Sequence, residues 1–179
     1  MTQRFDIKRG GLRLLTLGEI NLARTVYGFT IRYNEIWVHR GSYLPFDMQK
    51  SNYAMTPNGE LYFQDETYEK DFSHPIDREG GQHLFLHEMM HVWQHQHGIM
   101  VRTRGLFSWL VDYEYTLDKS SLYDYGMEQQ AAIVADYWLL QTYGFGNRSD
   151  LYRLKDYNSS EATQLLLVRY KKVIGSFPH

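Results

Sequence analysis

The chain has 179 residues, of which 43% are hydrophobic and 16% aromatic, enough to bury a core and too apolar for a disordered chain. Nineteen basic against 21 acidic side chains give a formal charge of −2, so no broad positive field exists to draw nucleic acid or anionic lipid. The lack of cysteine excludes disulfides, thiolate metal ligands and cysteine nucleophiles, and any metal must be held by His, Asp and Glu.

A single α+β domain over 1–179 is expected, with residues 1–11 as a flexible polar lead-in that ends at Gly10-Gly11. Met1 to Arg9 has no apolar stretch, so export by an ordinary signal peptide is not expected. Thr16 and Glu19 form a capping-box pattern ahead of Leu17, Ile20, Ala23, Val26 and Tyr27, which predicts a short helix up to Gly28. Ile31 to His39 reads as a strand, Gly41 to Thr56 as a loop, and Glu60 to Gln64 as a second strand after the Pro57-Asn58-Gly59 turn. Residues 65–81 are polar and read as loop.

From Gln82 to His97 a helix is predicted that is apolar on most sides, the pattern of a helix buried in the middle of a domain. Gly105 to Leu117 fits either a short helix or an irregular aromatic segment, and Asp118 to Gly126 fits a loop. A second strong helix spans Met127 to Tyr143, and a last one runs from about Ser160 to Val173, with Leu165, Leu166, Leu167 and Val168 on a crowded apolar side. Apolar runs such as Ala131 to Ala135 fall far short of the ~20 residues that a membrane helix needs, so no membrane insertion is expected.

His87-Glu88-Met89-Met90-His91 lies inside the most apolar helix. Two histidines at i and i+4 share one side and can hold one ion, while Glu88 can reach a water without occupying a ligand position. That is the arrangement of a zinc hydrolase, in which the ion acidifies water and the carboxylate takes its proton. The string alone would occur in roughly two per cent of such chains, but polar side chains in a buried helix are costly unless something satisfies them. The plain alternative is that the histidines bond backbone carbonyls or water and that Glu88 pairs with an arginine.

Glu128, at the start of the second strong helix, is the best third ligand, because Ala131, Ala132 and Ala135 would let that helix approach closely. Asp136 is the other option for that position, or else an acceptor for the second N–H of a ligand histidine. Without a metal, Glu128 would simply be a favourable charge at a helix N-terminus. His83, His95 and His97 flank the motif and read mainly as helix-end histidines, although His95 could approach a cleft. Tyr113, Tyr115, Tyr123 and Tyr125 are candidates to donate to a developing oxyanion, with Tyr125 favoured for its closeness to Glu128. The strand Gly59 to Gln64 could be an edge to which an extended substrate adds.

The block His87 to Gln96, with Ala54 to Phe63 upstream and Met127 to Gln130 downstream, resembles the zincin-like metallopeptidases of the Vgr-related family, as do Arg40 to Phe46 and Asp112 to Tyr115. The resemblance covers about residues 16 to 143. It implies a zincin-like fold, with Zn2+ on His87, His91 and Glu128 and with Glu88 as catalytic base. It further implies an antibacterial effector, made in the bacterial cytoplasm and carried by a type VI secretion spike protein into a target cell, where the periplasm is the expected site of action and a cytosolic target is the alternative. A peptide or peptidoglycan-peptide substrate and an immunity protein follow from the same resemblance. The alternative is a non-catalytic, spike-associated adaptor with a structural or degenerate zinc site.

Overall fold

The computed structural model describes residues 6–74, 79–99, 113–144, 151, 153–158 and 160–178. Over these residues the architecture is α+β: a four-stranded sheet and four α-helices around a shared hydrophobic core. The strands are β1 (Leu12–Leu14), β2 (Trp37–Arg40), β3 (Ala54–Met55) and β4 (Leu61–Phe63). The helices are α1 (Leu17–Tyr27), α2 (Glu79–Gln96), α3 (Met127–Tyr143) and α4 (Thr163–Ile174). Among the described residues no helix is long and apolar enough to cross a membrane.

The sheet runs β1-β2-β4-β3, antiparallel at both ends and parallel between β2 and β4. Val38, Leu61 and Phe63 are fully buried, whereas their sheet neighbours Leu12, Leu14 and Trp37 remain exposed, the alternation of a sheet covered on one face. The order corrects one expectation: β4 is interior, and the edge beyond it is the two-residue β3, inside the segment read as loop. A strand this short carries no periodic signal and exists because β4 offers it a partner. Likewise, the segment read as one strand from Ile31 begins as a one-turn 3-10 helix at Tyr33–Glu35, and only Trp37 onward pairs. Gly10 and Gly11 hydrogen-bond with Arg40 beside the β1–β2 pair, so the end of the segment read as lead-in is tied to the sheet.

The capping box at α1 forms as the sequence predicts, with Glu19 N–H donating to Thr16 Oγ1 (3.0 Å) and Thr16 N–H donating to Glu19 Oε2 (2.8 Å). Glu19 does more than cap. Fully buried, it also takes both terminal nitrogens of Arg13 at 2.8 Å and the Phe72 amide at 3.1 Å, so β1, α1 and the 68–72 segment are joined at one carboxylate.

Helix α2 is the centre of the fold: Phe85, Leu86, Met89, Met90 and Val92 are all fully buried, and α1, α3, β3 and β4 pack around it. Ala131, Ala132 and Ala135 of α3 are fully buried, as close packing of α3 against α2 requires. The turn after β3 holds Gly59 at φ +76°, where a Cβ would sit 2.5 Å from the His95 ring. Only glycine suits both the backbone and this approach to the end of α2.

Helix α4 differs from expectation in which side it buries. Leu166, Tyr170 and Val173 pack inward, and Leu165 and Val168 are 61% and 65% exposed, because α4 meets the core along a single stripe. The segment read as loop from Asp118 contains a 3-10 turn at Leu122–Asp124, capped by Ser121. Most of the ambiguous Gly105 to Leu117 segment lies outside the described residues; its described end contains Tyr115, bridged to Leu154.

Candidate metal centre

Helical spacing brings His87 and His91 to one side of α2, with ring centroids 5.2 Å apart, and the first turn of α3 presents Glu128 to both. Their Nε2 atoms lie 3.2 and 3.1 Å from Glu128 Oε2, and one ligand atom from each of the three residues falls within 4.8 Å of the others. Two imidazoles and one carboxylate, without sulfur, form a donor set suited to a divalent ion such as zinc. The histidines are buried, whereas the Glu128 side chain stays 20% exposed at the cavity.

Gln94, one turn beyond His91, fixes that ring. Its amide donates to Met127 O and Gln130 Oε1 (both 3.1 Å), which turns its own oxygen to His91 Nδ1 at 2.8 Å. His91 Nδ1 must therefore carry the hydrogen, and Nε2 is left to face Glu128 with its lone pair when the ring is neutral. His87 Nδ1 is buried with no hydrogen-bond partner among the described residues, so packing and the Nε2 contact set that ring's orientation.

The electrostatics of the bare cluster match a site built for a cation. Burial alone would lower His91, but the Glu128 carboxylate overrides it through charge and hydrogen bonding, and the pKa rises to about 9. Burial lowers His87, with the neighbouring His91 charge adding, against the pull of Glu128. Burial would raise Glu128, yet the two imidazoles hold it well below the usual carboxylate range. One carboxylate thus keeps a proton on His91 that a metal ion would replace.

Glu88 is buried, and its Oε2 accepts a hydrogen bond from Thr56 Oγ1 at 2.6 Å. Thr56 directly follows β3, so the edge of the sheet orients the carboxylate next to the histidines. All four residues line a cavity of about 410 Å³, whose walls also include Ala54, Met55, Tyr113 and Arg153. The sheet edge at the cavity is therefore β3, not the Gly59 to Gln64 segment.

The remaining candidates divide clearly. Asp136, fully buried, accepts from His83 Nε2 (2.6 Å) and from the Tyr115 hydroxyl, so its partner is not a ligand histidine as the sequence suggested. About two turns of α3 separate Glu128 from Asp136, so Glu128 meets His87 and His91 whereas Asp136 meets His83. The Tyr125 hydroxyl donates to Thr116 O (2.8 Å) and accepts from Lys119 N–H (3.0 Å), and Tyr125 is not among the residues lining the cavity. Tyr113 does line it, and burial, with the charge of Glu128 next, pushes its hydroxyl pKa up.

His95 packs against Gly59, and His97 Nδ1 meets the Trp93 carbonyl near the end of α2 (2.8 Å), the helix-end role expected of it. His39 stacks on Tyr62 and bonds Glu60 (2.7 Å). The sequence reading missed Gln94, Thr56 and Arg153. Spacing could have found Gln94, three residues from His91 on the same helix. Nothing local marks Thr56 or Arg153, which tertiary pairing delivers.

No model of a known protein family matches the chain. In an alignment 136 positions long that covers 71% of this chain, it is 41% identical to the type VI secretion system spike protein VgrG2b of Pseudomonas aeruginosa, and it spans 13% of that protein. The structure aligns with the effector domain of Pseudomonas aeruginosa VgrG2b at a TM-score of 0.63 and 38% identity, over 78% of this chain and 79% of that domain.

Proposed function

The chain belongs to the family of the VgrG2b effector domain, and on that premise we propose that it is a type VI secretion effector that acts as a zinc-dependent peptidase. Spike association would carry it out of its cell, and the prey periplasm is the compartment where its substrate bond, in a peptide or a peptidoglycan stem, is met. The observation that carries the catalytic part is the convergence of His87, His91 and Glu128 at a cavity that Glu88 also lines. The HExxH helix with a glutamate from the next helix supports a zincin-like assignment within the α+β architecture.

When bound by these three residues, zinc would supply Lewis acidity to a scissile carbonyl and to water. Glu88, held by Thr56, takes the proton from the attacking water and passes it to the leaving amine. Tyr113 has the position for which the sequence favoured Tyr125: it lines the cavity, and its raised pKa keeps the hydroxyl protonated as a donor to the developing oxyanion. Gln94 keeps the His91 ring in register with Glu128. Asp136 would have made the site a closed, structural one as a fourth ligand, but it is committed to His83 and Tyr115, which favours catalysis over the adaptor reading.

Glu88→Gln tests the reading. The variant is expected to keep its metal and its fold and to lose peptide cleavage by about 10²–10⁴-fold. It should also relieve growth arrest in a bacterium that exports the wild-type domain to its periplasm. Unchanged cleavage or toxicity in Glu88→Gln would overturn it.

A further inference from the structure

Asp136 is a buried carboxylate that the metal cluster does not use, and it is joined instead to a ring at the cavity. It has no exposure, and a charge taken that far from water is costly unless donors satisfy it. His83 Nε2 meets its Oδ1 at 2.6 Å, and the Tyr115 hydroxyl donates to its Oδ2. The Tyr170 hydroxyl lies 2.6 Å from that of Tyr115. Burial, with the charge of Asp136 next, holds the Tyr115 hydroxyl well above its ordinary pKa, so it remains a donor to the carboxylate.

This pairing fixes which nitrogen of His83 is available. A carboxylate only accepts, so His83 Nε2 carries the hydrogen, and in the neutral ring Nδ1 carries the lone pair. Nδ1 has no hydrogen-bond partner among the described residues, yet it is not a buried orphan as His87 Nδ1 is. The side chain is 16% exposed, and the ring lines the same cavity as His87, Glu88 and His91. His83 stands one helical turn before His87, about 6 Å along α2, the span of roughly two residues of an extended peptide. A pairing that served packing alone would need no opening to the cavity.

We propose that His83, held by Asp136, is a substrate-binding residue whose Nδ1 accepts a main-chain N–H of the peptide within two residues of the cleaved bond. This rests on the metallopeptidase reading, because the metal sets where the cleaved bond lies. Asp136 acts through the ring as a positioning residue: it fixes the tautomer from the Nε2 side, as Gln94 does for His91 from the Nδ1 side. A peptide whose amide at that place is alkylated, as in proline or an N-methyl residue, brings Nδ1 no donor and sets a carbon against it, so it is rejected.

The test uses the zinc-loaded full chain and affinities measured by calorimetry. The probes are acetohydroxamate, which offers the metal-binding group alone, acetyl-Ala-Ala hydroxamate, and the two forms of that peptide N-methylated at one amide. In the wild type one of the N-methylations is expected to weaken binding about tenfold or more. In His83→Phe the same N-methylation should weaken it less than about threefold, with the acetohydroxamate affinity unchanged, which also shows the variant to be folded and loaded. Nitrogen NMR of the wild-type imidazoles is the second measurement. It should show hydrogen on Nε2 of His83 and not on Nδ1, and an Nδ1 shift when the unmethylated peptide binds but not when acetohydroxamate does. No such loss from either N-methylation, a loss that survives in His83→Phe, or hydrogen on Nδ1 would overturn the assignment and leave the metal reading intact. If acetohydroxamate binds the wild type but not His83→Phe, the NMR result decides. Failure of acetohydroxamate to bind the wild type would instead overturn the metal reading, and the role of His83 with it.

Discussion

Replacing Gln94 by leucine separates the metal site from the packing around it. Gln94 is fully buried and makes three hydrogen bonds: it accepts from His91 Nδ1–H at 2.8 Å and donates to Met127 O and Gln130 Oε1 at 3.1 Å. Leucine fills much of the volume but leaves His91 Nδ1–H without an acceptor, and a buried unsatisfied donor costs about 1–3 kcal/mol. The ring also loses the contact that points Nε2 at Glu128, and partners of this kind are worth about 10–100-fold in metal affinity, or about 1.4–2.7 kcal/mol. Zinc affinity is measured by competition with a chromophoric chelator, and folding stability by urea denaturation in the presence of EDTA. Gln94→Leu should lose on both axes. Gln94→Glu keeps an acceptor for His91 but cannot donate to Met127 O, so it should lose stability and keep most of its zinc affinity. Zinc binding by Gln94→Leu within twofold of wild type would refute the assignment of Gln94 as the residue that aligns His91.

Removing one partner of the buried Arg13–Glu19 pair with Arg13→Met leaves a carboxylate with no exposure and should cost about 3–5 kcal/mol in urea denaturation; a loss under about 1 kcal/mol would contradict the joint described for β1 and α1. In the metal-free protein the His91 pKa of about 9 lies above its unfolded value near 6.5, so its stabilising contribution is full below pH 6.5 and fades as the pH rises through 9. Zinc uptake at pH 7 should accordingly release about one proton, read by calorimetry in buffers of different ionisation enthalpy; no proton release would contradict the shift. Tyr113→Phe should lower kcat about 10²-fold or more with stability little changed, whereas Tyr125→Phe, which removes a hydroxyl bonded to Thr116 and Lys119, should cost about 1 kcal/mol of stability and leave kcat intact. The reverse pattern would return the oxyanion role to Tyr125.

The features legible in the sequence are those written in local spacing. The i, i+4 histidines, the Thr16–Glu19 box and the small alanines of α3 each depend on one helix, and each appears where its spacing puts it. Glu128 was legible because it opens a helix that those alanines allow to come close. The choice between Glu128 and Asp136 as neighbour of His87 and His91 depends on how far α3 slides along α2, which no pattern within either helix records. The strands show the same limit: β1 and β3 span three and two residues, below the length at which alternation can be read, and only pairing with β2 and β4 creates them. Tyr113 lines the cavity and Tyr125 does not, because the Tyr115–Leu154 bridge and the Thr116 carbonyl hold them differently, and both contacts are tertiary.

Metal content tests the site most directly. Protein purified without added chelator and analysed by inductively coupled plasma mass spectrometry is expected to carry about one zinc per chain, with Glu128→Ala and His91→Ala folded but depleted and Glu88→Gln fully loaded. A wild-type chain that comes through empty, and that takes up no zinc when dialysed against it, would contradict the reading of His87, His91 and Glu128 as a metal centre.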